Sequence, residues 1–217
     1  MKTKRKRTAL VICNGEMPSR KILFELLKEK PFIVCADGGA NKARAFGIVP
    51  HCIIGDLDSI TEKTCRAAKR QKIQTIYNPD QYSTDLEKAL DFVLKKRIRK
   101  AVVIGATGKR PDHTMSNFSI LKKYHAKLNL MLKDSYCDIR IISRKISFEA
   151  RRGQIISLSP LGKCSGITTH GLKYPLHNES LELGVREGES NAAVSSPVEI
   201  SVKKGALLLF VVRKRAG

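Results

Sequence analysis

The sequence is poor in aromatic residues and has no long apolar segment. Tryptophan is absent, and the aromatic fraction is only 6% of the 217 residues. The longest apolar run, Ala206 to Val212, is too short to cross a bilayer as a helix. The basic start is followed by a short apolar run, residues 9–13, which is shorter than the hydrophobic part of a signal peptide. We therefore expect a soluble cytoplasmic protein without a membrane partner.

The sequence also lacks paired cysteines. Its six cysteines form no CxxC motif, which argues against a zinc site. Several lie inside apolar runs, where cysteine behaves as a small buried hydrophobic residue, and we expect reduced thiols. The six are Cys13, Cys35, Cys52, Cys65, Cys137 and Cys164.

A P-loop is missing as well. The sequence contains no Gly-x-x-x-x-Gly-Lys-Ser/Thr segment that could seat β- and γ-phosphates. A nucleotide site in this chain must therefore draw its phosphate-binding groups from several loops.

Positive charge, in contrast, is in large excess. Lys and Arg number 41 against 20 Asp and Glu, a formal net charge of +21. The basic clusters are Lys2 to Arg7, Lys95 to Lys100 and Arg213 to Arg215. Such clusters can mark a nucleic-acid surface, but they also attract any polyanion, including ATP, over long range. Because no aromatic residues are interleaved with them, we do not expect a nucleic-acid partner, and a non-enzymatic nucleic-acid binder is the alternative hypothesis.

Apolar runs alternate with helical patterns through residue 134. This alternation predicts an α/β domain with a mostly parallel sheet and helices on both faces. The expected strands are Thr8 to Cys13, Phe32 to Ala36, Cys52 to Ile54, Ile73 to Tyr77, Ala101 to Gly105 and Lys127 to Leu132. Helices are expected from Pro18, before Gly47, over Thr61 to Arg70, after a capping box at Thr84, and through Asn117 to Lys123.

The pattern changes after about Ser135. Strand-like segments recur between Gly and Pro, without a helical stripe, so residues 135–217 are predicted to form an all-β domain. The strand-like segments are 139–142, 154–158, 198–202 and 206–212. The predicted domain boundary falls between residues 134 and 135.

Asp56 and Asp58 follow the third predicted strand directly. In an extended segment, residues two apart project to the same side with Cα atoms roughly 7 Å apart. Two carboxylates at that spacing can bind Mg²⁺, which combines one or two carboxylates with substrate phosphates. An isolated Asp-x-Asp is more often a solvated turn, so the interpretation depends on the neighbouring loops.

Three other loops also follow predicted strands: 37–39, 80–85 and 107–113. In an open parallel sheet, ligands bind beyond the carboxyl ends of the strands, so the four loops should meet at one rim. They bring carboxylates for a metal, glycine-flanked backbone for phosphate, and the charges of Lys109 and Arg110. Asp85 lies in the first turn of a predicted helix, where it could also simply complement the helix dipole.

With these loops in view, the chain resembles the thiamine pyrophosphokinase family over nearly its full length. The resemblance rests on six segments in a fixed order, each weak alone and specific together. They are Ala36-Asp37-Gly38-Gly39-Ala40-Asn41, Gly55-Asp56-Leu57-Asp58-Ser59, Asp80-Gln81 with Thr84-Asp85 and Lys88, Arg110 with Asp112-His113 and Asn117, Gly171-Leu172-Lys173-Tyr174-Pro175-Leu176, and Ser190-Asn191.

The resemblance implies an α/β catalytic domain that binds ATP and Mg²⁺, a β-sandwich that binds thiamine, and a homodimer with active sites between subunits. It implies transfer of pyrophosphate from ATP to the hydroxyl of thiamine, giving thiamine diphosphate and AMP. Another ATP-dependent small-molecule kinase is the alternative within the enzymes.

The resemblance also implies roles for individual residues, which the rim loops supplement. The metal ligands would be Asp56, Asp58 and Asp85. The catalytic set would add Arg110 and Asp112. The ATP site would comprise Asp37, Gly38, Gln81, Lys88, Thr107, Lys109 and Arg110. The thiamine site would comprise Tyr174, Ser190 and Asn191, with these residues coming from either subunit.

Two positions depart from the common family pattern. Lys109 stands where a second glycine often precedes the arginine, which leaves its role open. Tyr174 stands where some members have tryptophan, which keeps an aromatic face for a cationic ring. Ordinary packing is the alternative role for Tyr174, and for His113 a hydrogen bond at a helix start is favoured over catalysis.

Overall fold

The computed structural model of the protein describes residues 8–213. The predicted basic cluster Lys2 to Arg7 and the last two residues of the cluster Arg213 to Arg215 lie outside this range. The chain divides into two compact units, and the change from one to the other falls between Ser135 and Tyr136, with Leu121–Lys123 assigned to the second unit.

The first unit alternates strands with helices. Its strands are β1 Thr8–Ile12, β2 Phe32–Ala36, β3 Cys52–Gly55, β4 Gln74–Tyr77, β5 Lys100–Ile104 and β6 Asn129–Lys133. Its helices are α1 Arg20–Lys28, α2 Gly39–Ala45, α3 Glu62–Arg70, α4 Asp85–Lys95 and α5 Pro111–Tyr124. Each predicted strand and helix of this half is present, with ends that differ by a few residues.

The six strands are all parallel, in the order β6-β5-β1-β2-β3-β4. Strand β1 is central, and Ile12 lies beside Cys35 of β2 and Ile104 of β5. The chain leaves β1 in one direction toward β4 and then returns to β5 on its other side. Ligands in such sheets bind where the strand order reverses, beyond the carboxyl ends of the strands.

Both faces of this sheet are covered, as the sequence predicts. Leu10 and Ile12 pack in one core with residues of α1, α2 and α3, including Leu23. The alternate residues Ala9 and Val11 are also fully buried, and α4 contacts β1, β2 and β3 from their side. The Tyr124 hydroxyl at the end of α5 donates to Asp91 of α4 at 2.8 Å, which joins these two helices.

Local sequence signals set the helix ends. Thr84 and Glu87 form a complete capping box that fixes the start of α4. Gly47, two residues after α2, has φ +70°, a left-handed conformation that glycine adopts without steric cost. Helix α5 begins at Pro111, a favoured first-turn residue, so Asp112 and His113 lie in its first turn and not in the loop that the sequence suggested.

The second unit is a β-sandwich. Its strands are β7 Cys137–Ile142, β8 Lys145–Phe148, β9 Ile155–Pro160, β10 Lys163–His170, β11 His177–Glu182, β12 Gly188–Ala192, β13 Val198–Ser201 and β14 Leu207–Val212. They form two antiparallel layers in the orders β12-β9-β14-β7 and β11-β10-β13-β8. Alternate residues of the layers, such as Leu158, Ile167, Ile200 and Leu209, meet in one core.

The fold class is therefore the predicted one, an α/β unit followed by an all-β sandwich. Four strands of the sandwich were not predicted: β8 and β10 to β12. They are rich in polar residues, as the segment His177–Glu182 shows. Within the described residues, no helix is long and apolar enough to span a membrane.

We expect Leu158→Ala to destabilise the sandwich strongly. Leu158 is 1% exposed in the core between the layers, and truncating such a leucine costs about 2–5 kcal/mol. Leu183→Ala is the matched control, because Leu183 is 47% exposed and should change stability little. Urea unfolding followed by far-UV circular dichroism measures both, and equal midpoints for the two variants would contradict the core assignment.

Candidate active site

Three aspartates converge at the carboxyl ends of β2 and β3. Asp37 follows β2, and Asp56 and Asp58 follow β3, its parallel neighbour. One carboxylate oxygen of each residue lies within 4.8 Å of the others. Like charges this close repel one another unless a cation or protons compensate them.

Asp37 is the buried member of this trio. It is 3% exposed, its Oδ2 accepts a hydrogen bond from the Ser59 amide at 3.3 Å, and its buried Oδ1 has no partner. Burial raises its pKa, the bonds from Gly38 and Ser59 oppose this rise, and the charges of Asp58 and Asp56 add to it. A buried carboxylate oxygen without a partner is costly, and a bound cation would satisfy it.

Asp56 and Asp58 approach each other through a turn, not along an extended strand. Strand β3 ends at Gly55, and Leu57 has φ +66° in the left-handed region. This conformation costs a leucine on the order of 1–2 kcal/mol. It lets Leu57 pack against the core while the Asp58 amide donates to Asp56 Oδ1 at 3.4 Å. The carboxylates of Asp56 and Asp58 converge as predicted. The prediction that they do so along an extended strand was wrong, because a turn at Leu57 brings them together.

The loop after Asp58 is tied to helix α2. The Asn41 side chain donates to the Ser59 carbonyl at 2.8 Å and accepts from the Thr61 amide at 3.0 Å. The Ser59 hydroxyl in turn donates to Asp58 Oδ1 at 2.9 Å. Asn41 thus positions both the amide that binds Asp37 and the hydroxyl that binds Asp58.

Asp85 lies in the first turn of α4 and pairs with Lys88. Its Oδ1 is 3.2 Å from Lys88 Nζ, and Lys88 is only 4% exposed. Burial raises the pKa of Asp85, and the hydrogen bond and charge of Lys88 oppose that rise. The ion pair therefore favours the charged form of a partly buried carboxylate.

Gly55 allows Asp85 to come close to Asp37. A Cβ atom at Gly55 would lie 2.7 Å from Asp37 Cβ and 3.0 Å from Asp85 Oδ1, so only glycine fits without displacement. The compact trio is nevertheless Asp37, Asp56 and Asp58, whereas the sequence grouped Asp85 with Asp56 and Asp58. Asp85 lies next to the trio and links it to Lys88.

A cavity of about 370 Å³ adjoins these groups. Four predicted site residues line it, namely Asp56, Gln81, Asp85 and Lys88. Cys13 also lines it, and burial followed by the charge of Asp85 raises the pKa of its thiol to about 12. The thiol is therefore neutral at physiological pH and not a nucleophile.

The loop before α4 forms one wall of the cavity. Asp80 accepts hydrogen bonds from the Tyr82 amide at 3.0 Å and from the Ser83 hydroxyl. These bonds hold the pKa of Asp80 below its ordinary value, with the Ser83 bond contributing most. Gln81 is exposed, and its Nε2 donates to the Pro79 carbonyl at 3.1 Å.

The fourth predicted loop carries the basic residues. The Thr107 hydroxyl donates to Asp134 at 3.2 Å, and Lys109 has φ +58°. The contact with Lys109 lowers the pKa of Lys42 of α2, and desolvation and the repulsion between the two positive charges add to the effect. Two neighbouring ammonium groups are an arrangement that a phosphate chain would stabilise.

Arg110, the last residue of this loop, binds Asp112 in the first turn of α5. The Arg110 Nε and Nη2 atoms donate to the two Asp112 oxygens at 3.1 and 2.5 Å. The Arg110 hydrogen bond holds the pKa of Asp112 at about 2. Both side chains are exposed and do not line the cavity, although His113 and Asn117 of the same helix do.

In the second unit, Tyr174 and Asn191 are joined by reciprocal hydrogen bonds. The Tyr174 amide donates to Asn191 Oδ1 at 3.1 Å, and Asn191 Nδ2 donates to the Tyr174 carbonyl at 2.7 Å. Asn191 is buried, whereas the Tyr174 ring is 62% exposed. Ser190 is exposed and its amide donates to the Ser157 hydroxyl at 3.0 Å. Asn191 therefore fixes the backbone that presents the tyrosine ring.

This combination of an α/β unit with rim carboxylates and an all-β sandwich matches one family of nucleotide-dependent transferases. A family model described as "Thiamin pyrophosphokinase, catalytic domain" matches residues 23–132. A second, described as "Thiamin pyrophosphokinase, vitamin B1 binding domain", matches residues 143–207.

Individual relatives agree. Thiamine pyrophosphokinase of Bacillus subtilis (strain 168) is 31% identical over 209 residues, which cover 94% of this chain and 98% of the relative. The crystal structure of thiamine pyrophosphokinase from Bacillus subtilis superposes with a TM-score of 0.84 at 27% identity and covers 96% of this chain and 100% of that chain. The yeast structure has the same fold, with a TM-score of 0.85 at 21% identity over 98% of this chain and 88% of its own. The chain belongs to the thiamine pyrophosphokinase family.

The sequence did not predict the roles of two residues of this site, Asn41 and Lys42. Asn41 belongs to one of the six segments that resemble the family, but only the fold shows that its side chain hydrogen-bonds to the loop at Ser59. Lys42, the next residue, approaches Lys109 across 67 positions of sequence. No local pattern signals either contact, because both depend on the placement of α2 beside two other loops.

We expect Asp37→Asn to make the protein more stable at neutral pH. The pKa of Asp37 is raised from its ordinary value of 3.8, so the folded state holds this proton more tightly than the unfolded state. The free energy of unfolding therefore falls as the pH rises from about 4 through the folded pKa, and the asparagine removes that loss.

Urea unfolding between pH 3 and pH 8, without divalent cations, measures the effect. The gain should be present at pH 7 and should shrink as the pH falls through the raised pKa of folded Asp37 toward the ordinary value of 3.8. Glu25→Gln, an exposed carboxylate on α1, is the control and should show no such trend. A destabilised Asp37→Asn variant at pH 7 would contradict the account of Asp37 as an uncompensated buried charge.

Proposed function

We propose that the protein transfers the pyrophosphoryl group of ATP to the hydroxyl of thiamine, giving thiamine diphosphate and AMP. Membership of the thiamine pyrophosphokinase family supports this reaction. The observation that carries it is the buried, unpaired Asp37 Oδ1 beside Asp56 and Asp58, next to a cavity whose wall includes a buried lysine.

The donor set of the trio fits Mg²⁺. It offers only carboxylate oxygens, and one of them is buried without a partner, as expected of a ligand position for a hard cation. Asp37, Asp56 and Asp58 would hold the ion, with Asp85 beside them. When bound, Mg²⁺ would neutralise phosphate charge and leave part of its coordination shell to substrate oxygens.

The residues of the cavity would orient and neutralise the phosphates. Lys88 is buried, and its ion pair with Asp85 holds its ammonium group at the cavity wall. Transfer of this kind needs positioning and charge stabilisation more than covalent participation by the protein. Lys42 of α2 and Lys109 and Arg110 of the loop after β5 would supply further charge, in place of a P-loop. Gly38 and Thr107 would contribute as part of the loops that approach the nucleotide.

The proposed reaction is a displacement at the β-phosphorus. The thiamine oxygen forms a bond to the β-phosphorus and gives up its proton. The bond from that phosphorus to the α–β bridging oxygen breaks, and AMP leaves with the electron pair. Positive charge near the bridging oxygen stabilises this leaving group, which is the contribution that we assign to the basic residues.

We propose the sandwich as the thiamine-binding unit. Tyr174 presents an exposed ring, and Lys173 Nζ lies 5.2 Å from its centroid, so one face already attracts a cation. The thiazolium of thiamine would use the other face. Ser190 would provide a polar contact, and Asn191 would act by holding the Tyr174 backbone.

We further propose a homodimer in which the sandwich of one subunit completes the site of the other. Among residues 8–135, the one exposed Tyr or Phe side chain that lines the cavity beside the trio is the loop residue Tyr82. Sedimentation of the active enzyme tests the assembly, and a fully active monomer would contradict it.

A cytoplasmic location is proposed as well, and it is supported by the six cysteines, which are all free thiols.

Product identity tests the reaction. After incubation with ATP, Mg²⁺ and thiamine, chromatography should detect AMP and thiamine diphosphate in equal amounts. Stoichiometric ADP with thiamine monophosphate would instead establish an ordinary kinase.

Substitution of Asp58 tests the proposed metal site. Asp58→Asn should lower turnover at least ~100-fold, by analogy with loss of one preorganised charge-stabilising group. Glu25→Gln is the control, and near-normal turnover of Asp58→Asn at low Mg²⁺ would overturn the metal assignment.

Substitutions of Tyr174 test the thiamine site. Tyr174→Ala should raise the KM for thiamine by about 2- to 30-fold, which corresponds to the loss of ~0.5–2 kcal/mol of cation–π attraction. Tyr174→Phe should retain the affinity because the aromatic face remains. The KM for ATP should be unchanged in both variants. If Tyr174→Ala and Tyr174→Phe have the same KM for thiamine, the ring does not contact the substrate.

A further inference from the structure

The amino-end rim of the parallel sheet, opposite the carboxylates, is strongly basic. Each helix of the α/β unit returns antiparallel to the strands, so its last turn lies at this rim. The helix ends and the residues before the next strands carry many Lys and Arg side chains. At the end of α1 they are Lys28 and Lys30, at the end of α3 Lys69, Arg70 and Lys72, and at the end of α4 Lys95, Lys96 and Arg97. Arg99 and Lys100 lie at the start of β5, and Lys127 lies before β6. Within these segments the one carboxylate is Glu29.

A groove of about 600 Å³ lies in this rim. Four exposed cations line it, namely Lys96, Arg97, Arg99 and Lys100. Its remaining lining consists of Phe32, Ile98 and Asn129. Among residues 8–213, none of the four cations has a carboxylate within 4.0 Å, whereas Lys145, Lys163 and Arg186 of the sandwich do.

Helix capping does not account for this charge. A lysine in the last turn of a helix gains about 0.3–1 kcal/mol from the helix dipole, and Lys95 is such a residue. Arg99 and Lys100, however, lie beyond the helix, at the start of β5. Four like charges in one groove repel one another, and a bound polyanion would relieve that repulsion.

Further cations lie along the rim on both sides of the groove. Lys127 lies at the β6 edge and Lys72 at the β4 edge, with the groove and the end of α1 between them, whereas the segment that leads into β3 carries no Lys or Arg. Six strands spaced by about 4.8 Å make this rim about 24 Å long. A nucleic-acid strand places one phosphate per 3.4 Å of helix axis, or about seven along this distance. The rim is therefore much longer than a single nucleotide or inorganic phosphate requires.

The shape of the groove favours a polymer over a membrane. Its cations line a concave surface, which suits an elongated polyanion laid along it better than a flat bilayer. Its aromatic residue Phe32 is 9% exposed and packs against His51 and Phe92, so no ring is displayed for insertion into lipid or for stacking on bases. Contacts would therefore be to the phosphodiester backbone and independent of base sequence.

We propose that the amino-end rim binds the phosphodiester backbone of nucleic acid without sequence preference. This proposal differs from the expectation from the sequence, which considered each basic cluster separately and could not show that several of them share one rim. The proposal is independent of the proposed reaction. Strands of about five residues separate the two rims by roughly 15 Å, so nucleic acid should not occupy the nucleotide cavity.

The test compares two triple variants of the full chain. Arg97→Asn/Arg99→Gln/Lys100→Gln removes three charges from the groove; asparagine suits the φ of +59° at Arg97. Arg144→Gln/Lys203→Gln/Lys204→Gln removes three exposed charges from the sandwich and is the matched control. Both retain the basic residues that precede Thr8, so those residues cannot cause a difference between them.

Fluorescence anisotropy with labelled 20-nucleotide single strands and duplexes of mixed sequence measures binding between 50 and 200 mM salt. We expect the groove variant to bind at least 10-fold more weakly than the control. Its plot of log Kd against log salt should be shallower by about 2–3, since each lost phosphate contact removes about 0.7–0.9. The single-strand and duplex arms show which form the groove prefers.

Turnover with ATP and thiamine should be unchanged in both variants, which verifies folding and keeps this test separate from the proposed reaction. Equal weakening in the two variants would overturn the proposal, because net charge alone would then explain binding. Binding to phosphatidylserine vesicles that depends on the groove, with no binding to either nucleic acid, would overturn it in favour of a membrane surface.

Discussion

The repulsion among three carboxylates at the ends of β2 and β3 is the constraint on which the active-site half depends. Asp37 is buried with one oxygen unpaired, and Asp56 and Asp58 lie within reach of it. Neighbouring residues hold these three carboxylates close together. Leu57 is held in a left-handed conformation, Asn41 ties the next loop to α2, and Gly55 leaves room for Asp85. Such an arrangement costs stability in the empty protein and is what a cation site requires.

The parallel sheet distributes charge between its two rims. Carboxylates follow the strands, whereas lysines and arginines follow the helices. A metal held by the carboxylates, as we propose, would thereby be kept apart from the large cationic surface at the opposite rim. The excess of Lys and Arg over Asp and Glu in the α/β unit is thus not spread evenly between the two rims.

The sequence was sufficient for the α/β half because its signals there are local. Continuous apolar runs predict buried parallel strands, and the capping box at Thr84 fixes α4 within one residue. It was insufficient where contacts are long-range or strands are polar. Strand β11, with one buried residue among six, has no hydrophobic alternation to detect, and the pairing of Lys42 with Lys109 depends on tertiary placement. The proximity of Asp37 to Asp56 and Asp58 was not predicted, because burial and long-range contacts cannot be read from an Asp-Gly-Gly turn.

Helix α4 has a further consequence for the motions of the site. Seven of its eleven residues are buried, including Lys88 and Glu87, whereas α1 buries only Leu23. Amides in such a helix exchange with solvent mainly through large-scale opening, while exposed loops exchange locally. Asp85 and Lys88 therefore lie on a slowly exchanging element, and the loop at residues 80–83 is the part of the cavity wall that can open on its own. Hydrogen exchange should accordingly be slow for the amides of α4 and faster for those of the loop at residues 80–83.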